Sequence, residues 1–151
     1  MQNVQKLNVL FLCTGNACRS QMAGGWARML KGHTIEAYSA GVQPHGLDPR
    51  AIKVMAEAGV DISGQRSRHV RELMDISFDY VVTVCDNANE RCPFFPGKTR
   101  RVHVGFDDPP KLAAGAKTDD EALAHYRRVR DQIRAFVEKM PDVLNELEDA
   151  E

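Results

Sequence analysis

No apolar run in this 151-residue chain is long enough to cross a bilayer or to form the core of an export signal. The N-terminal stretch Leu7 to Leu12 is six residues interrupted by Asn8, against about 20 for a spanning helix and roughly 7–15 for a signal core. A cytoplasmic chain with no membrane partner is expected. An excess of one charge is missing too: 20 basic residues face 21 acidic ones. Lys and Arg never gather beyond short pairs such as Arg100-Arg101 and Arg127-Arg128, which excludes the basic footprint that nucleic acid requires. His33, His69, His103 and His125 show no ligand spacing, so no metal site is expected. Repeats, linkers and low-complexity tracts are also absent. The length is that of one ordinary domain, 1-151, expected to be a monomer. A chain this long buries about two-thirds of its surface on folding and needs no disulfide staple. Its four cysteines, in a reducing compartment, read as catalytic, redox-active, metal-binding or buried.

What is present is an alternation of strand and helix signals. Residues 7–12 read as a buried strand, and 19–31 as a helix whose stripe Met22, Trp26, Met29 and Leu30 faces a sheet. Thr34 to Ser39 is a second strand, ended by Gly41. Asp48-Pro49 opens a helix carrying Ile52, Val54, Met55 and Ala58, and Gly59 stops it. Asp79 to Val84 and Arg101 to Val104 are two further strands. A long helix over 119–140 places Leu123, Tyr126, Val129, Ile133, Val137 and Met140 on one side, and Pro141 breaks or restarts it before an acidic tail. Residues 107–118 are expected to form a flap. The alternation predicts a three-layer α/β/α domain with a short, about four-stranded parallel sheet, in which ligands sit off the carboxyl ends of the strands.

Cys13 stands at that edge, at the junction of the first strand and first helix, and opens Cys13-Thr14-Gly15-Asn16-Ala17-Cys18-Arg19-Ser20. Backbone N–H groups of such a loop converge on a point, the helix N-terminus adds partial positive charge, and Arg19 offers a two-pronged fork. Thr14, Gly15, Asn16, Ala17, Cys18 and Ser20 would cradle a tetrahedral oxyanion. A nucleotide loop is excluded, because no Gly-Lys-Ser/Thr follows. The same field is expected to bring the Cys13 thiol from about 8.5 down to roughly 3.5–7.5, making it a nucleophile; the alternative is a buried thiol ending a core strand. Asp107-Asp108-Pro109 follows the last strand and reads either as a turn or as a source of a general acid. Cys85 ends the third strand. For Cys85 and Cys92, zinc fits poorly because the gap exceeds the usual spacing and no histidine is near; two buried thiols and a thiol relay stay open. Cys18 is expected to be buried, and His45 lies either at the mouth of the loop or on the surface.

The C-x5-R-S loop resembles that of the low-molecular-weight tyrosine phosphatase superfamily, and the whole pattern resembles its thioredoxin-coupled arsenate reductases. The resemblance runs through the Cys13 loop, Ser20-Gln21-Met22, Tyr38-Ser39-Ala40-Gly41, His45-Gly46, the segment Val81 to Cys92, and Gly105-Phe106-Asp107-Asp108-Pro109. It implies that Cys13 attacks arsenate, Asp108 is the acid, Cys85 attacks Cys13 to release arsenite, Cys92 resolves the disulfide, and thioredoxin reduces the final Cys85–Cys92 bond, with no cofactor. Phosphate or sulfate would bind as analogues. If 86–91 is helical, with Asp86 as its cap, seven residues at about 1.5 Å each part Cys85 and Cys92 by roughly 10 Å, beyond the ~7 Å a disulfide tolerates. Their bond then requires that helix to unwind.

Two departures bear on substrate and ion. The phosphatases carry Pro after the loop Ser and aromatics after the Asp-Pro; here Gln21 and Pro110-Lys111 argue against an aromatic phosphoester. Some of the reductases hold potassium near the loop with acidic and hydroxyl residues. The matching positions here are Gly24, Arg66 and Arg68, so an arginine would supply the positive charge instead. The competing activities are phosphomonoester hydrolysis with Cys13, Arg19 and Asp108, and plain oxyanion binding, which needs neither an acid nor relay thiols.

Overall fold

The computed structural model describes residues 6–85, 92–95 and 97–148. Four parallel strands form the sheet in the order β2-β1-β3-β4: β1 (Leu7–Cys13), β2 (Ile35–Gly41), β3 (Tyr80–Thr83) and β4 (Arg100–His103). Helices α1 (Arg19–Lys31), α2 (Pro49–Glu57), α3 (Pro109–Ala113), α4 (Asp119–Glu138) and α5 (Asp142–Glu148) complete an α/β/α three-layer fold. The continuous apolar run of β1 fits its central place, since a parallel strand covered on both faces has no polar side to show. Val9, Leu10, Phe11 and Leu12 are completely buried. Helix α1 packs on β1, β2 and α4, while α5 packs on β4.

Local chemistry sets the ends. Asp48 caps α2 by accepting the Arg50 N–H at 2.9 Å, and Pro49 opens the helix, where its missing N–H costs nothing. Thr118 caps α4 by accepting from Glu121, with Asp119, Asp120 and Glu121 in the positive first turn.

Several expectations need correction. Met29 is 57% exposed: the buried face of α1 ends at Ala27, and the half-buried Leu30 continues the stripe one turn beyond Trp26. Strand β2 extends two residues past Ser39, because Gly41 still pairs with Cys13 and its N–H donates to the Arg68 carbonyl. Strand β4 lies one residue earlier than expected, with Arg100 beside Tyr80. The expected flap contains α3, which packs against α4. Pro141 restarts the chain as a helix, and the supposed acidic tail buries Leu144 fully. The helix expected over 86–91 lies outside the described residues. Among the described residues, no helix is long and apolar enough to cross a membrane.

Candidate active site

The carboxyl ends of β1, β3 and β4 bring Cys13, Cys85 and the segment Phe106 to Asp108 to one edge of the sheet. Between β1 and α1 the chain must reverse within five residues, Thr14 to Cys18. Asn16 makes this possible by taking φ 48°, a left-handed conformation that Asn adopts more readily than most residues. It is fully buried and bonded on every side. Its N–H donates to Cys13 Sγ at 3.2 Å, its Nδ2 to Ser20 Oγ at 2.8 Å, and its Oδ1 accepts the Arg68 N–H at 2.8 Å. Gln21 Nε2 donates to the Asn16 carbonyl at 3.0 Å and to the Arg66 carbonyl at 2.9 Å. Ser20 Oγ in turn lies 2.9 Å from Cys13 Sγ. The side chains of Asn16 and Ser20 therefore stand behind the loop and shape it.

The concave side is a cleft of ≈ 400 Å³ lined by Cys13, Thr14, Gly15, Ala17, Cys18, Arg19, His45, Asp108 and Pro110. His45 stands at the mouth, where its backbone N–H donates to the Gly15 carbonyl at 2.8 Å. A Cβ on Gly15 would meet the His45 ring at 2.5 Å, so a larger residue here would displace that side chain from the mouth. Gly41 is confined from the other side: a Cβ there would lie 2.7 Å from the Thr14 carbonyl oxygen.

Arg19 is mostly buried, with Nη1 donating to the Phe106 carbonyl at 2.8 Å and Nη2 lying 3.7 Å from Asp108 Oδ1. The fork is thus anchored to the β4–α3 segment as well as facing the cleft. The two neighbouring acids divide: Asp108 lines the cleft, whereas Asp107 is drawn to Arg128 at 3.0 Å.

The expected depression of the Cys13 thiol does not hold in this geometry. Burial pushes it up and outweighs the Ser20 hydroxyl, the Ser20 and Asn16 amides that pull it down, and Cys85 adds to the rise. Arg19 is engaged by Phe106 and Asp108. Cys18 is raised well above its ordinary value by burial and by the nearby Asp48. All four cysteines are free. Cys85, buried at the end of β3, has Sγ 3.2 Å from Thr14 Oγ1. Cys92 is half-buried with Sγ 3.6 Å from the Pro93 carbonyl; burial raises it, and the Arg101 guanidinium opposes the rise.

Two supports escaped the sequence reading. Tyr126, assigned to the core, donates its hydroxyl to Asp48 Oδ2 at 2.6 Å, and burial followed by that carboxylate pushes the phenol up. Because Asp48 also donates its N–H to the Ala17 carbonyl, α4 braces the loop through α2. Gln21 stood out only as a departure from proline; no periodicity signals its role in bracing the loop.

The family model for low molecular weight phosphotyrosine protein phosphatase matches residues 8–149. An arsenate reductase of Bacillus licheniformis is 45% identical over 139 residues, covering 92% of this chain and 98% of that protein. One from Bacillus subtilis is 47% identical over 125 residues, covering 83% and 88%. Among solved structures, an arsenate reductase in the oxidized state superposes with a TM-score of 0.70 at 28% identity, covering 95% of this chain and 97% of that one. An arsenate reductase in the reduced state gives 0.68 at 30%, covering 91% and 98%. An arginine phosphatase at 18% identity shares the fold. With a nucleophile loop, a second thiol at its rim and relatives matched over nearly their whole length, this chain belongs to the low-molecular-weight phosphatase family, among its arsenate reductases.

Proposed function

We propose that this chain, acting as a single cytoplasmic catalytic domain and as a monomer, reduces arsenate to arsenite through Cys13, Cys85 and Cys92. Arsenate sits in the loop from Thr14 to Cys18 with Arg19 on its oxygens. Cys13 Sγ attacks arsenic, and one arsenic-bound oxygen, protonated by Asp108, leaves as water. Cys85 Sγ then attacks Cys13 Sγ. The electron pair of the broken S–As bond stays on arsenic, which departs as arsenite, and the two thiols are left as a disulfide. Cys92 attacks Cys85, freeing Cys13, and the dithiol of thioredoxin reduces the Cys85–Cys92 bond by exchange.

The observation that carries this is Cys85 Sγ at 3.2 Å from Thr14 Oγ1: a second thiol at the rim of an oxyanion loop serves reduction and is superfluous for hydrolysis. NADPH consumption in the presence of thioredoxin and its reductase should depend on arsenate. A phosphatase assay and a glutathione–glutaredoxin couple run beside it test the competitors. Arsenate-independent consumption, or turnover with glutaredoxin alone, would displace the reading.

A further inference from the structure

Behind the loop lies a second cavity, of ≈ 340 Å³, whose lining includes Arg28, Tyr38, Ser39, Gln65, Arg66 and Arg68. No carboxylate lines it, and three guanidinium groups do. Arg68 Nε is buried and has no hydrogen-bond partner, a state that costs free energy unless something accepts its proton. Arg28 donates to Gln65 Oε1 at 2.8 Å. Burial pushes Arg28 below its ordinary value and Arg68 adds to this, with Glu36 opposing, as expected of cations held close together. Arg66 meets Glu72 only at 3.9 Å, both side chains well exposed.

We infer that this arginine-lined cavity is a second anion site, separate from the Cys13 loop, that takes a small tetrahedral dianion such as inorganic phosphate or sulfate. The planar forks of Arg28 and Arg68 suit such oxygens, and the unpartnered Nε supplies a ready donor. The site is joined to the loop by backbone: Arg68 N–H holds Asn16 Oδ1, the Arg66 carbonyl accepts from Gln21, and the Arg68 carbonyl accepts the Gly41 N–H. An anion that orders residues 64–68 therefore stiffens the bracing of the catalytic loop.

Selenate soaked into crystals of the wild type should give two anomalous peaks, one over the loop and one among Arg28, Arg66 and Arg68. In solution the loop site is crippled by Arg19→Ala, and sulfate is titrated calorimetrically at constant ionic strength with chloride as the balancing anion. One sulfate should still bind. Adding Arg68→Gln should weaken it at least about ten-fold, the worth of one charge-assisted hydrogen bond. Arg28→Gln, which loses a bond to Gln65 but none of the bonds that Arg66 and Arg68 make to the loop and to Gly41, makes the same test should Arg68→Gln fail to fold. Selenate confined to the loop, or sulfate affinity unchanged by Arg28→Gln, would overturn the site.

Discussion

Replacing Asn16 separates what its side chain holds from what its backbone requires. Asn16→Ala removes the bonds from Nδ2 to Ser20 Oγ and from the Arg68 N–H to Oδ1, both 2.8 Å. At about 1 kcal/mol for a bond and about 1–3 kcal/mol for a buried group left unpaired, the side-chain loss is about 2–4 kcal/mol. The φ of 48° adds about 1–2 kcal/mol for an alanine held left-handed. The total, about 3–6 kcal/mol, is a large share of the roughly 5–15 kcal/mol that keeps a domain folded. Asn16→Gly loses the same bonds but accepts the backbone angle. After about 0.4–1 kcal/mol for the extra freedom of glycine in the unfolded chain, it should be more stable than Asn16→Ala by about 1 kcal/mol. Each kcal/mol shifts Tm by about 2–4 °C in a chain of this size, so thermal unfolding followed by circular dichroism should rank wild type, glycine, then alanine. An alanine variant melting with the wild type would refute the bracing role. Equal melting of the two variants would refute the strain.

Asp108→Asn should slow formation of the Cys13 adduct by about 10²–10⁴-fold in single-turnover experiments, and Asp107→Asn far less, because its carboxylate is held by Arg128; the reverse order would move the acid by one residue. Stability should fall in alkali. Burial raises the Cys13, Cys18 and Cys92 thiols, so above their ordinary value the unfolded chain releases protons that the folded one retains, and ionisation favours unfolding until the folded values are reached. Urea midpoints measured across that range should decline, and Cys18→Ala should flatten the slope; an equally steep decline would remove Cys18 from the account. Cys92→Ser should complete one turnover and stall as a Cys13–Cys85 disulfide found by peptide mapping. Cys85→Ser should lose reduction yet keep any phosphatase activity, and sustained turnover by both variants would end the relay.

Much of this was legible because parallel sheets announce themselves. The unbroken apolar run before Cys13 predicts a central strand, and the spacing from Cys13 to Arg19 predicts the loop. What escaped was set by tertiary contact. Met29 continues the helical period, but the protein ends its cover one turn earlier. The residues after Pro141 look acidic in composition, yet Leu144 is fully buried and Val143 and Leu147 pack partly against the core. The Cys13 thiol lies above its ordinary value because burial outweighs the hydrogen bonds from Ser20 and Asn16, and that burial comes from the packing of the loop, which the spacing from Cys13 to Arg19 does not carry. The division of labour between Asp107 and Asp108 likewise depends on Arg128, which lies on a different element.

The place of the second thiol follows from strand order. Leu12 pairs with Thr83 in the β1–β3 register, so one step on Cys13 runs beside Val84, and two steps on Thr14 runs beside Cys85. The 3.2 Å contact between Thr14 Oγ1 and Cys85 Sγ is the consequence. On the opposite side β1 meets β2, where Cys13 pairs with Gly41, and the bare glycine backbone there lets the loop turn close to the sheet. Had β4 been the neighbour of β1, the strand carrying Cys85 would stand a further ~4.8 Å away, outside the reach of a thiol attacking Cys13 without a rearrangement of the sheet. The order β2-β1-β3-β4 thus puts close packing on one flank of the nucleophile and redox chemistry on the other.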